Sequence, residues 1–220
     1  MGPRKDQQQI KRCILASALR LFTEKGFYKT KIQDIAQISG ISVGVVYKHF
    51  NSKEELAFLL FKEALELFKT ALSEATASAE CVNDFVVKVV KTVLIFSEKN
   101  IRISKYLWLC RHDEFLKDEI VRPMVLRYDT FGRRFVGFIN SARKNGSIKN
   151  YSADIIWTLI FGSTLSYVRD WLDGISKRPP SQVADFLAKA IWSALQGGDI
   201  SSERNSGCSR NDEKKASKTS

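Results

Sequence analysis

Only two histidines occur in the 220 residues, and the four cysteines, Cys13, Cys81, Cys110 and Cys208, are scattered with no Cys-x-x-Cys pair. Neither a zinc framework nor a disulfide scaffold fits that pattern. The chain also lacks a glycine-rich phosphate loop, a nucleophile motif and zinc-ligand spacing, so it reads as a non-enzyme without metal or cofactor. His112, Asp113 and Glu114 are the nearest approach to a polar site. Adjacent residues on a helix do not face one another, and Asp113 as the cap of a helix start explains the trio better.

Long apolar runs are missing as well. The longest uncharged stretch, Ile155 to Val168, is 14 residues, too short to cross a bilayer and suited to a buried helix. The N-terminal MGPRKDQQQ has no apolar signal-peptide core, and Pro3 and Asp6 argue against a myristoylation site. The chain therefore reads as soluble and cytoplasmic.

No run alternates as a strand does, whereas three- and four-residue apolar spacing recurs throughout. The pattern predicts an all-α protein with helices at 7–25, 31–39, 42–49, 53–77, 82–99, 101–111, 114–144, 153–172 and 181–195. Pro123 should break or kink the seventh. Beyond Leu195 the composition turns polar, with five Lys/Arg against four acids, which suits a disordered tail over residues 197–220.

Charge of one sign is in excess. The formal net charge is +11, which favours an anionic partner, nucleic acid first and a membrane surface second. Residues 1–55 hold ten Lys/Arg against five acids. Residues 120–149 hold seven Lys/Arg against Asp129, a solvated helix face or a surface for an anionic effector such as an acyl-CoA.

Within the basic N-terminal segment lies TKIQDIAQISGISVGVVYKHFNSK, Thr30 to Lys53. Ala36, Gly40 and Val46 are spaced for two short helices crossing through a tight turn. Ala36 is small where the second helix passes over it, Gly40 supplies the turn, and Val46 packs back. This is a helix-turn-helix, which places its second helix in the DNA major groove. Ile10, Ile14, Ala18, Leu21 and Phe22 form an amphipathic helix before it, and Ser52 with Glu55 reads as a capping box after it.

Gly44 lets the backbone approach base edges, and Val43 and Val45 offer apolar contacts such as with a thymine methyl. Lys48 suits a guanine or a phosphate. Gln33 suits an adenine or is simply solvated. Phe50 is core.

The run GFYKTKIQDIAQISGISVGVVYKHFNSKEEL resembles the DNA-binding domain of the TetR family of bacterial transcriptional regulators, over about residues 7 to 60. The resemblance implies phosphate contacts from Thr30, Tyr47, His49 and Lys53. It implies a three-helix DNA-binding domain over 1–52 and a helical ligand-sensing and dimerisation domain over 53–196. In the second domain it implies a pocket between central helices, with Phe61, Leu65, Phe85, Tyr106, Trp108, Tyr128, Phe131 and Phe161 as candidate walls, although most aromatics there are ordinary core. It further implies a homodimer through the last two helices, where Gly162, Ser163 and Ser166 allow close approach and Val183, Phe186, Leu187, Ala190, Ile191, Ala194 and Leu195 are apolar. The alternative is that both helices only cover their own core. The implied function is a DNA-binding, ligand-responsive regulator, a repressor released from a palindromic operator by a small, largely apolar effector. An architectural DNA-binding dimer without an effector is the alternative.

Overall fold

The computed structural model describes residues 7–109 and 130–197, and every regular element among them is a helix. The first six are α1 (Gln7–Lys25), α2 (Ile32–Ser39), α3 (Val43–His49), α4 (Lys53–Thr76), α5 (Val82–Lys99) and α6 (Ile101–Trp108). α7 covers Thr130–Lys144. α8 (Ala153–Trp157) runs through a π turn at Thr158–Gly162 into α9 (Ser163–Leu172), and α10 covers Pro180–Gln196. Cys110, the 112–114 trio, Pro123, Tyr128 and the tail beyond Gly197 lie outside the described residues.

Apolar periodicity predicts one unbroken helix from 153 to 172, and the π turn is a departure from it. The Ser163 hydroxyl donates to the Leu159 carbonyl and the Thr164 hydroxyl to the Ile160 carbonyl, so side chains take up carbonyls of the widened turn. Trp157 and Phe161 are thereby stacked at 4.3 Å, with Phe135 of α7 set 5.0 Å from Trp157.

α5 is the post around which the second half is built. It contacts α4, α6, α7, α9 and α10. Six of its residues are valine, a poor helix former because its χ1 is restricted. Packing overrides that preference. Val86, Val89, Val90 and Val93 are wholly buried, and each buried side chain of this kind contributes about 1.5–3 kcal/mol relative to exposure.

α10 lies alongside α5, tied at one end by the Glu98 carboxylate, which accepts the Ser181 N–H at 2.7 Å. Lower down, Lys91 pairs with Asp185 at 2.5 Å. The lysine's hydrogen bond and charge hold the Asp185 carboxyl below the usual carboxylate range.

The N-terminal helices pack on this body through α1, α4 and α6. Ile14, Ala18, Leu21 and Phe22 of α1 are buried, as are Ile35, Val46, Phe50 and Leu56. Tyr106 of α6 stacks on Phe22 at 6.2 Å, and its hydroxyl donates to the Ala57 carbonyl of α4 at 2.8 Å, wholly buried. Tyr106 is thus a joint between the two halves and not a free pocket wall. Tyr106→Phe keeps the ring and removes the bond. It should lower stability by about 0.5–1.5 kcal/mol, read as a shifted urea midpoint at unchanged slope.

Candidate nucleic-acid interface

The turn between α2 and α3 is built as the spacing predicts. Gly40 has φ +66°, left-handed backbone that disfavours a Cβ. It ends α2, and the Ile41 N–H then reaches back to the Ala36 carbonyl at 3.0 Å. Ala36 and Val46 are buried where the helices cross. Ser42 starts α3 through its carbonyl, which accepts from the Val45 and Val46 N–H groups at 2.9 and 3.1 Å.

Burying Val46 on one side of α3 exposes the other. Gly44, Tyr47 and Lys48 face out, with Val43, Val45 and His49 half-buried at the edges. Gln33 of α2 is exposed beside them in the motif, as is Gln37, which the sequence reading passed over. His49 lies against Phe50, ring centroids 6.4 Å apart.

Gly44 is the most telling of these. A Cβ built there meets nothing within 4 Å, so nothing described in the protein demands a glycine. Within a helix, glycine is about 0.5–1 kcal/mol less favourable than alanine. That cost is explained if another molecule approaches the backbone at this point.

Two expected phosphate ligands have internal jobs. Thr30 is only 1 % exposed, and its hydroxyl donates to the Gly26 carbonyl at 2.8 Å. It closes the loop between α1 and α2 and presents no hydroxyl to the surface. Lys53, half-buried at the start of α4, donates from Nζ to the carbonyls of Phe27 at 2.9 Å and Thr30 at 3.1 Å. The same ammonium lies 4.1 Å from the Phe27 ring centroid. An ammonium has three donors, so Lys53 pins the loop with two and retains one.

The capping box at α4 is only half reciprocal. The Ser52 hydroxyl accepts the Glu55 N–H at 3.0 Å, but Glu55 turns its carboxylate to the backbone and side-chain N–H groups of Asn51, at 2.7 and 2.8 Å.

The described wall candidates lie on α4, α5, α6, α7 and the π turn, and Tyr128 lies outside the described residues. Trp108 meets Phe68 of α4, which in turn meets Phe96 of α5. Phe85, Phe131 and Phe161 form an aromatic cluster with Phe135, Phe138 and Trp157. Phe61 and Leu65 are buried on α4. A groove of about 310 Å³ beside α5, with Ile95 and Phe96 in its floor and Lys88, Lys91 and Lys99 on its rim, includes none of the proposed walls.

The last helices leave an apolar face uncovered. Phe186 is 72 % exposed and Ile155 is 47 % exposed, and Gly162, Ser163 and Ser166 are open between them along α8 and α9. Ile191 differs from expectation: it is buried at 6 %, on a helix packed against its own α5. Leu195 is buried in the same way.

A helix-turn-helix mounted on an all-helical body defines the class. Residues 14–60 match the family model described as bacterial regulatory proteins, tetR family. The transcriptional regulator HbdR of Aromatoleum sp. (strain CIB) is 36% identical over 56 residues, which is 26% of this chain and 24% of that protein. The matches to HbdR, YerO and AcrR each span less than a third of the relative's own length. The fatty acid metabolism regulator protein of Bacillus subtilis (strain 168) is 22% identical over 165 residues, covering 72% of this chain and 81% of that one. The solved structure of FadR from Bacillus subtilis in complex with stearoyl-CoA shares the fold, with a TM-score of 0.71 at 17% identity over 84% of this chain and 98% of that chain. A tetR-family regulatory protein from Rhodococcus RHA1 gives 0.73 at 17% identity, over 85% of this chain and 97% of that chain. The match to the tetR family of bacterial regulatory proteins thus lies in the helix-turn-helix segment, and the rest of the described chain shares the fold of solved members of that family.

Two substitutions separate surface from scaffold. Gly44→Ala should raise stability by about 0.5–1 kcal/mol while weakening DNA binding, seen by pairing urea unfolding with fluorescence anisotropy. Tyr47→Phe should weaken DNA binding with stability unchanged within about 0.5 kcal/mol. Lys53→Ala should do both: lower stability by about 1–2 kcal/mol through the freed loop, and reduce the salt slope of DNA binding by about one. A Lys53→Ala protein with full stability would remove the pinning role.

Proposed function

We propose that this chain is a homodimeric DNA-binding transcriptional regulator, a repressor released from a palindromic operator by a small, largely apolar effector. The observation that carries the DNA part is the exposed face of α3. It combines a glycine that the protein's own packing does not need with Tyr47 and Lys48 in a basic segment. Lys48 and Gln33 are the base-reading candidates, and Val43, Val45 and the Gly44 backbone supply close apolar contact. Tyr47, His49 and the free donor of Lys53 hold phosphates.

Dimerisation is supported by the uncovered face of α8, α9 and α10. One helix-turn-helix buries little DNA surface. Two related by a two-fold axis read successive major grooves about 34 Å apart. Small residues at Gly162, Ser163 and Ser166 let helices of two copies approach, with Phe186 and Ile155 as apolar anchors. The effector reading is supported by the aromatic interior and by a solved structure of the same fold that holds stearoyl-CoA, whose acyl chain is apolar although its coenzyme A part is anionic.

Selection of bound fragments from random DNA, followed by footprinting, tests the central claim. A palindromic site with half-sites one helical turn apart is the expected result. Uniform affinity for all sequences would leave only a general DNA binder. Phe186→Glu tests assembly. It should give monomers by sedimentation, with unchanged circular dichroism and much weaker operator affinity. A Phe186→Glu protein that still sediments as a dimer would move the interface elsewhere.

A further inference from the structure

Helix α6 carries two polar atoms that are enclosed and have no partner. Ser104 is wholly buried and its Oγ makes no hydrogen bond. One turn later, Trp108 Nε1 is also shut off from solvent and unpaired. Four other buried hydroxyl residues among the described ones satisfy themselves. The buried Thr30, Thr76, Ser97 and Thr164 each donate to the carbonyl four residues back. Ser104 could do the same to Asn100 and does not. Buried polar atoms are satisfied in the great majority of native structures, and an exception calls for a missing partner.

Residues four apart share a helix face, so Ser104 and Trp108 lie on one stripe of α6. Of the cations of α6, Arg102 lies on another side and Lys105, three residues before Trp108, borders the stripe without being on it. The Trp108 ring meets Phe68 edge-on at 5.2 Å, and Phe68 meets Phe96 at 5.1 Å, so the surroundings are apolar. An indole N–H only donates, and a serine hydroxyl donates or accepts. The complement of this stripe is an oxygen acceptor on an apolar body. A carboxylate would enter with no cation on the stripe to offset its desolvation.

We propose that Ser104 and Trp108 form the polar end of the effector site and select an uncharged ligand bearing a carbonyl, ether or hydroxyl oxygen. The inference rests on the ligand-responsive reading above and adds the chemical class of the ligand. It also supplies a route for the signal. Tyr106, two residues from each, points to another side of α6 and holds Phe22 and Ala57. A ligand that draws on Ser104 and Trp108 therefore pulls on the helix that joins the DNA reader to the body.

The full chain, labelled with ¹⁵N at its four tryptophans, provides the test, with Trp108→Phe assigning the Trp108 indole signal. Three probes of one carbon skeleton are titrated: cyclohexanone, cyclohexane and cyclohexanecarboxylate. Cyclohexanone should move the Trp108 indole proton downfield, and the other two should not. Ser104→Ala should weaken cyclohexanone about 2- to 12-fold, the loss of one hydrogen bond. Without ligand, Ser104→Ala should melt at the same temperature or higher, because it removes an unsatisfied group. Several outcomes overturn the proposal: no cyclohexanone binding, binding that leaves the Trp108 indole unmoved, equal affinity in Ser104→Ala, an equal response to the carboxylate, or a melting temperature lowered by several degrees. None of these touches the regulator reading, which fails separately if footprinting finds no operator.

Discussion

One short helix touches both halves of this protein. α6 has eight residues, yet it contacts α1, α4, α5 and α9. Toward α1 and α4 it places a buried hydrogen bond, Tyr106 to the Ala57 carbonyl, with the Phe22 ring stacked alongside. Such a bond is worth about 0.5–1.5 kcal/mol net, and leaving its buried donor unpaired costs about 1–3 kcal/mol.

The DNA-reading end is compromised for the sake of its partner. α3 has only seven residues, three of them valine and one glycine, and it would not hold as an isolated helix. It persists because Val46 is buried, because Gly40 fixes its entry angle, and because the next helix begins with a firm cap at Ser52. Lys53 completes the arrangement from the far side by pinning the carbonyls of Phe27 and Thr30. The scaffold around α3 supplies the order that α3 lacks.

Local patterns were readable in the sequence wherever one physical requirement dominated. Helix spacing placed α1 and α5 at their observed bounds, since each buries a continuous face. Gly40 was legible because left-handed backbone at a helix end favours glycine. Side-chain partners were less legible. Thr30 and Lys53 look like anion ligands in a basic motif, and only the fold reveals the carbonyls that use them first. Ile191 and Phe186 are both apolar residues of one helix. Their five-residue separation puts them on different faces, one against α5 and one open. The π turn left no signal in apolar spacing, because hydroxyl-to-carbonyl bonds accompany it. The orphan atoms on α6 were equally hidden, since sequence records which groups are polar and not which remain unpaired.

Size sets what α6 can transmit. Effector release requires differential affinity, and a coupling of roughly 1–3 kcal/mol changes DNA affinity about 5- to 150-fold. That range is comparable to the energy of the Tyr106 contact alone. In the proposed mechanism, an effector that seats α6 where Tyr106 no longer meets Ala57 would shift the balance by about the value of that bond. The same arithmetic sets a limit. A joint much stronger than this would hold the DNA reader in place whatever was bound, and a much weaker one would leave it unaligned before any ligand arrived. Linkage requires the reverse effect at the same size, so in the proposed mechanism operator DNA, by favouring the seated α6, would weaken the effector by the factor with which the effector weakens DNA.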